Sequence, residues 1–119
     1  MKIKEVLVNK NKTRLVGMDK RPYFVAEMNT SHFGDIDHAK EMIKSALDCG
    51  FDCVKFQSWT SGSLYSIEFL RENPVAARFL KKYALSPDKL KELSIYCEKV
   101  GIEFSSTPYS PSEVDFLVD

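Results

Sequence analysis

The sequence has only three cysteines, Cys49, Cys53 and Cys97, and no two of them form a CxxC pair. An odd number at these spacings gives neither a disulfide framework nor a zinc site, so core thiols are expected. An excess of charge of one sign is also missing. Seventeen basic residues balance 17 acidic ones, and like charges run no further than pairs and triplets. This pattern offers no footprint for nucleic acid and none for an anionic membrane. Apolar runs such as Tyr23 to Met28 are far too short to span a bilayer, and the start Met1-Lys2-Ile3-Lys4-Glu5 lacks the apolar core of a signal peptide. The cytoplasm is the expected compartment. The two histidines, His32 and His38, do not have metal-ligand spacing.

With 44% apolar and 29% charged residues in 119, the chain has the composition of a soluble globular unit or of a part of one. Val6 to Val8 and Arg14 to Val16 read as short extended runs about a turn at Asn9-Lys10-Asn11-Lys12, an N-terminal hairpin over residues 1–21. From Pro22 the pattern changes. Tyr23 to Met28 is an apolar strand that ends in the polar loop Asn29 to Gly34. Ala39, Met42, Ile43, Ala46 and Leu47 then fall on one helix face, with Gly50 placed for a left-handed cap. Asp52 to Gln57 is a second strand.

Residues 58–85 form a longer insertion, expected over one end of the sheet, with a helix starting at Asn73-Pro74 and Val75, Phe79 and Tyr83 on one face. Ser86-Pro87 opens another helix, whose stripe is Leu90, Leu93, Cys97 and Val100 and whose stop is Gly101. A third strand spans Ile102 to Thr107. Ser110-Pro111-Ser112-Glu113 reads as a capping box before a third apolar stripe, Val114, Leu117 and Val118. Alternating strands and helices argue for a parallel sheet. A TIM barrel needs about 250 residues and eight such units, so residues 22–119 are expected to supply roughly three of them. The fold class expected is therefore α/β, the N-terminal portion of a (β/α)8 barrel. Three strands alone bury little interior and leave edges unpaired, so the isolated chain is expected to be marginal or to associate, and to be part of a longer enzyme.

Side chains alternate along a strand, which places Val25, Glu27 and Asn29 on one face, with Cys53, Lys55 and Gln57, and Ser105 and Thr107, on the corresponding face of the other two. Each strand becomes polar there near its C-terminal end, where active sites of parallel α/β folds lie. Lys55 is either an edge charge that opposes aggregation or an anion-binding ammonium; its neighbours Val54 and Phe56 suggest a strand covered by helices, which favours the second. Glu27 is either its salt-bridge partner, a substrate contact, or both in turn. Ser105-Ser106-Thr107-Pro108 either ends a strand in a turn or contributes to the site. His32, in the loop, is a candidate substrate contact, whereas His38 is expected on a helix surface.

The runs Pro22-Tyr23-Phe24-Val25-Ala26-Glu27-Met28-Asn29 with His32 and Gly34, then Val54-Lys55-Phe56-Gln57, then Ser105-Ser106-Thr107-Pro108-Tyr109, resemble the sialic acid synthase family in order and spacing. The resemblance implies a barrel enzyme in which phosphoenolpyruvate attacks the open-chain aldehyde of an N-acylmannosamine-like sugar. It implies Glu27 as the catalytic candidate, orienting the sugar or moving a proton, and Lys55 holding a phosphate or carboxylate. Gln57, Thr107, Asn29 and His32 are the further substrate-binding candidates. A divalent metal, manganese or magnesium, is implied for the complete enzyme with ligands beyond this chain, as is a homo-oligomer. Ser31 and Phe33 stand where the family usually has asparagine, which leaves the sugar open.

Overall fold

The computed structural model describes residues 5–7, as backbone, and 15–118. Strand β1 (Glu5–Leu7) pairs antiparallel with β2 (Leu15–Gly17), Val6 opposite Val16. The expected hairpin is present, while its turn at residues 9–12 lies outside the described residues.

Then follow β3 (Val25–Glu27), helix α1 (Ile36–Asp48) and β4 (Cys53–Ser58), which complete a strand-helix-strand unit. The insertion holds α2 (Ser61–Leu64), α3 (Ile67–Glu72) and α4 (Pro74–Tyr83). After it come α5 (Pro87–Val100), β5 (Glu103–Pro108) and α6 (Pro111–Val118). Strands β3, β4 and β5 form one parallel sheet in that order, so β4 is central. Lys55 therefore lies on an inner strand, and the edge-strand reading of its charge is set aside.

Local chemistry explains the helix ends. Asp35 caps α1, its carboxylate accepting from the N–H groups of Asp37 (2.8 Å) and His38 (3.0 Å). Ser86 does the same for α5, whose first residue is Pro87. Gly50 and Gly101 take φ values of 82° and 87°, the left-handed conformation that ends a helix most cheaply at glycine. At α6 the capping box gives way to another arrangement. The Glu113 carboxylate accepts from the Tyr109 N–H (2.7 Å) and the Ser63 hydroxyl (2.7 Å), so it ties the insertion to the end of β5 instead of closing back on Ser110.

Alternation divides the sheet into two faces. Ala26, Val54, Phe56 and Phe104 point to the side on which α1 and α5 pack, giving a core of Val54, Phe56, Ala39, Ile43, Leu90, Leu93 and Cys97, with Met28, Leu85 and Ile102 beside them. The expected stripes of both helices are thus the observed ones. Cys53 and Cys97 are buried, but Cys49 is exposed at the end of α1, which corrects its reading as a core thiol. A helix terminus puts its last side chains into water even when the residue type prefers the interior. Val75 and Phe79 share a face of α4 with Tyr83, but this face is largely solvent-exposed. The insertion meets the loop after β3 at Lys82 and Tyr83 and α6 at Ser63, so it lies at the C-terminal ends of the strands.

Candidate active site

The face of the sheet turned away from the helices carries three lateral rows set by the parallel register. The first is Val25, Cys53 and Glu103, the second Glu27, Lys55 and Ser105, and the third begins with Gln57 and Thr107. Tyr23, Val25, Cys53, Lys55, Glu103 and Ser105 line a shallow concavity on this face. Tyr23 was not among the sequence candidates, although stepping back by two from Val25 leads to it. Burial, with Cys53 and Glu103 close by, pushes its phenol up to about 12.

In the second row Lys55 Nζ lies 2.9 Å from Glu27 Oε2, with both side chains close to two-fifths exposed. The hydrogen bond and the charge of Glu27 hold the Lys55 ammonium above its ordinary pKa. Such a pair can exchange partners, because an anion entering the concavity can replace the carboxylate at the ammonium without either ion first being stranded in a dry interior. Gln57 and Thr107 are half-buried one row closer to the strand ends.

Asn29 departs from the strand. Its φ is 46°, and its N–H donates to Glu27 Oε1 at 3.3 Å. His32 is placed differently from the other candidates, being 3% exposed. Its Nδ1 accepts from the Gly34 N–H (3.0 Å), and its ring lies 5.9 Å from that of Phe56. Burial, reinforced by the charges of His38 and Lys89, lowers its pKa. Phe33 turns outward, its ring 6.0 Å from His38 on α1 and 5.8 Å from Tyr83 on α4. His38 lies on the α1 surface, as expected. The structure thus brings Glu27, Lys55, Gln57 and Thr107 onto one open face and sets His32 behind it.

Among the described residues no group of three or more His, Cys, Asp or Glu side chains is placed to hold a metal ion, and no helix is long and apolar enough to cross a membrane.

The NeuB family model matches residues 42–119. N-acetylneuraminate-9-phosphate synthase of Mus musculus is 34% identical over 113 residues, covering 87% of this chain and 31% of that protein. N,N'-diacetyllegionaminic acid synthase of Campylobacter jejuni is 31% identical over 107 residues, covering 82% and 32%. The crystal structure of N-acetylneuraminic acid synthetase from Leptospira borgpetersenii superposes with a TM-score of 0.80 at 24% identity, over 97% of this chain and 38% of that one. The chain spans about a third of the length of the curated relatives it matches. Its fold is accordingly the first three βα units of their barrel, preceded by the hairpin.

Proposed function

The chain belongs to the NeuB family, and on that premise we propose that it forms the first sector of the active-site face of a synthase that condenses phosphoenolpyruvate with an N-acylmannosamine-type sugar to give a sialic acid-like nonulosonic acid. The observation that carries this reading is the Glu27–Lys55 pair, open to solvent on the face of the sheet not covered by helices.

In the reaction C3 of phosphoenolpyruvate forms the new carbon–carbon bond to the sugar aldehyde, water adds at C2, and the C2–O bond to phosphate breaks. Lys55 is suited to the anionic partner, because its ammonium can hold a phosphate or carboxylate in the place that Glu27 occupies without ligand. Glu27, released from Lys55 in the same exchange, then orients a sugar hydroxyl or accepts a proton. Gln57 and Thr107 supply uncharged contacts on the row above.

The divalent metal, manganese or magnesium, would polarise the aldehyde oxygen. The described residues do not by themselves fit it, since no ligand cluster is present and the ring of His32 is taken up inside its loop. No step is therefore assigned through it here. The test is phosphate release by the full-length protein that carries this sequence. Release that requires both phosphoenolpyruvate and N-acetylmannosamine, or an analogue differing in its acyl groups, supports the assignment. Release that ignores the sugar, or no release with any such sugar, contradicts it.

A further inference from the structure

Gln57 and Thr107 face each other near the end of the β4–β5 ladder, and Pro108, just beyond them, has no N–H to give to it. Two further contacts carry the pairing on. The Ser58 and Ser106 hydroxyls meet at 2.7 Å, with Ser58 buried, and the Tyr109 N–H donates to the Ser58 carbonyl at 3.2 Å. The neighbours of Gln57 and Thr107 thus hold the two strands together on either side of them. The Tyr109 N–H is shared, because it also lies 2.7 Å from Glu113 Oε2, while Glu113 Oε1 accepts from the Ser63 hydroxyl at 2.7 Å.

A glutamate in the first turn of a helix ordinarily spends its carboxylate on the N–H groups of that helix. Glu113 instead joins three segments: α6, which carries it, the residue that follows β5, and α2 of the insertion. Hydrogen bonds to a carboxylate are the strong kind, and this one is half-buried. On the insertion side Ser63 is itself held, since its hydroxyl accepts from the Thr60 N–H (2.9 Å) and its own N–H donates to Thr60 Oγ1 (3.1 Å). A line of hydrogen bonds therefore runs from the cap of α2 through Ser63 and Glu113 to Tyr109 and Ser58, the residues that close the ladder beyond Gln57 and Thr107. We propose that Glu113 is a positioning residue, which touches no substrate and, by holding Tyr109, fixes Thr107 opposite Gln57. The inference rests on the reading of Thr107 as a substrate contact.

A brace that only supports folding would act alike whatever stands at position 107, so the discriminating readout is a double-mutant cycle. It is run on kcat/KM for phosphoenolpyruvate in the full-length protein that carries this sequence, with a sugar that supports phosphate release, well below the thermal midpoint of each variant. Thr107→Val keeps the branched shape, removes the hydroxyl, and is expected to lower kcat/KM about tenfold. No change would remove Thr107 from the site, and the inference would fall with it. Glu113→Ala is expected to cost about fivefold in the wild-type background and less than about twofold beside Thr107→Val. Glu113→Gln is expected to stay within about twofold of wild type. Its amide can accept from Tyr109 and donate to Ser63, whose own hydrogen then turns to the Thr60 carbonyl 3.2 Å away. Equal losses from Glu113→Ala in the two backgrounds, no loss in either, or a Glu113→Gln variant as impaired as Glu113→Ala refutes the positioning role. Should Glu113→Ala not fold, Ser63→Ala takes its place, since it leaves α6 intact; its expected loss is about threefold, again confined to the background with Thr107. A loss of the same size beside Thr107→Val refutes the role equally.

Discussion

Glu27 and Lys55 are direct lateral neighbours across the parallel register of β3 and β4, joined at 2.9 Å on the face that no helix covers. Ion pairs this exposed add little to stability, so the pair is better understood as two charges held ready for a ligand than as a structural brace. Lys55→Met is accordingly expected to change the thermal midpoint of the chain by no more than about 2 °C, as read by circular dichroism. A fall several times larger would return the pair to a structural role.

His32 makes stability depend on pH in a definite direction. Its folded-state pKa is below the ordinary 6.5, so between the folded value and 6.5 the unfolded chain binds more protons than the folded one. Stability then rises with pH through that window, and the contribution of His32 is lost as pH falls through it from 6.5 to the folded value. Denaturant titrations from about pH 7 to about pH 5 are expected to show this slope, and His32→Gln is expected to flatten it. An unchanged slope in the variant would assign it to other groups.

The three cysteines separate by environment. Cys97 is fully buried, and burial pushes its thiol up to about 12; Cys53 is buried and also raised, chiefly by burial. Cys49 is exposed. Because the thiolate is the reactive species, maleimide at neutral pH is expected to label Cys49 alone in the native chain and all three after denaturation. Labelling of Cys97 at the rate of Cys49 would mean that the α5 face is not packed on the sheet.

Gly34 and Gly101 both have positive φ, yet their surroundings differ. A Cβ at Gly34 would be 2.1 Å from the Lys82 carbonyl oxygen, whereas at Gly101 it would meet nothing within 4 Å. Gly101→Ala is expected to cost about 1–2 kcal/mol from backbone strain alone. Gly34→Ala adds a backbone clash to the same strain and is expected to cost at least about twice as much. Equal losses in chemical denaturation would show that α4 does not press on the loop as described.

The strand-helix-strand framework was legible because its signals are local. Asp35 and Gly50 bracket α1, Ser86-Pro87 and Gly101 bracket α5, and each helix carries a stripe at the helical period. Alternation in β4 was enough to put Lys55 opposite Phe56 and beside Gln57. What depends on distant partners was not legible. Glu113 forgoes its own helix cap for Ser63, 50 residues away. The short helices α2 and α3 rest on caps from Thr60 and Ser66 rather than on a buried stripe, so periodicity did not reveal them. The inward turn of His32 follows from positive φ angles at Asn29 and Phe33, which neither residue type announces.

The most direct test of the central claim is the Michaelis constant for phosphoenolpyruvate of the full-length protein that carries this sequence, compared with its Lys55→Ala variant at saturating sugar. Loss of a charge-assisted contact to a phosphate or carboxylate is expected to raise that constant by about tenfold or more. A constant equal to that of the wild type would contradict the placement of phosphoenolpyruvate at Lys55.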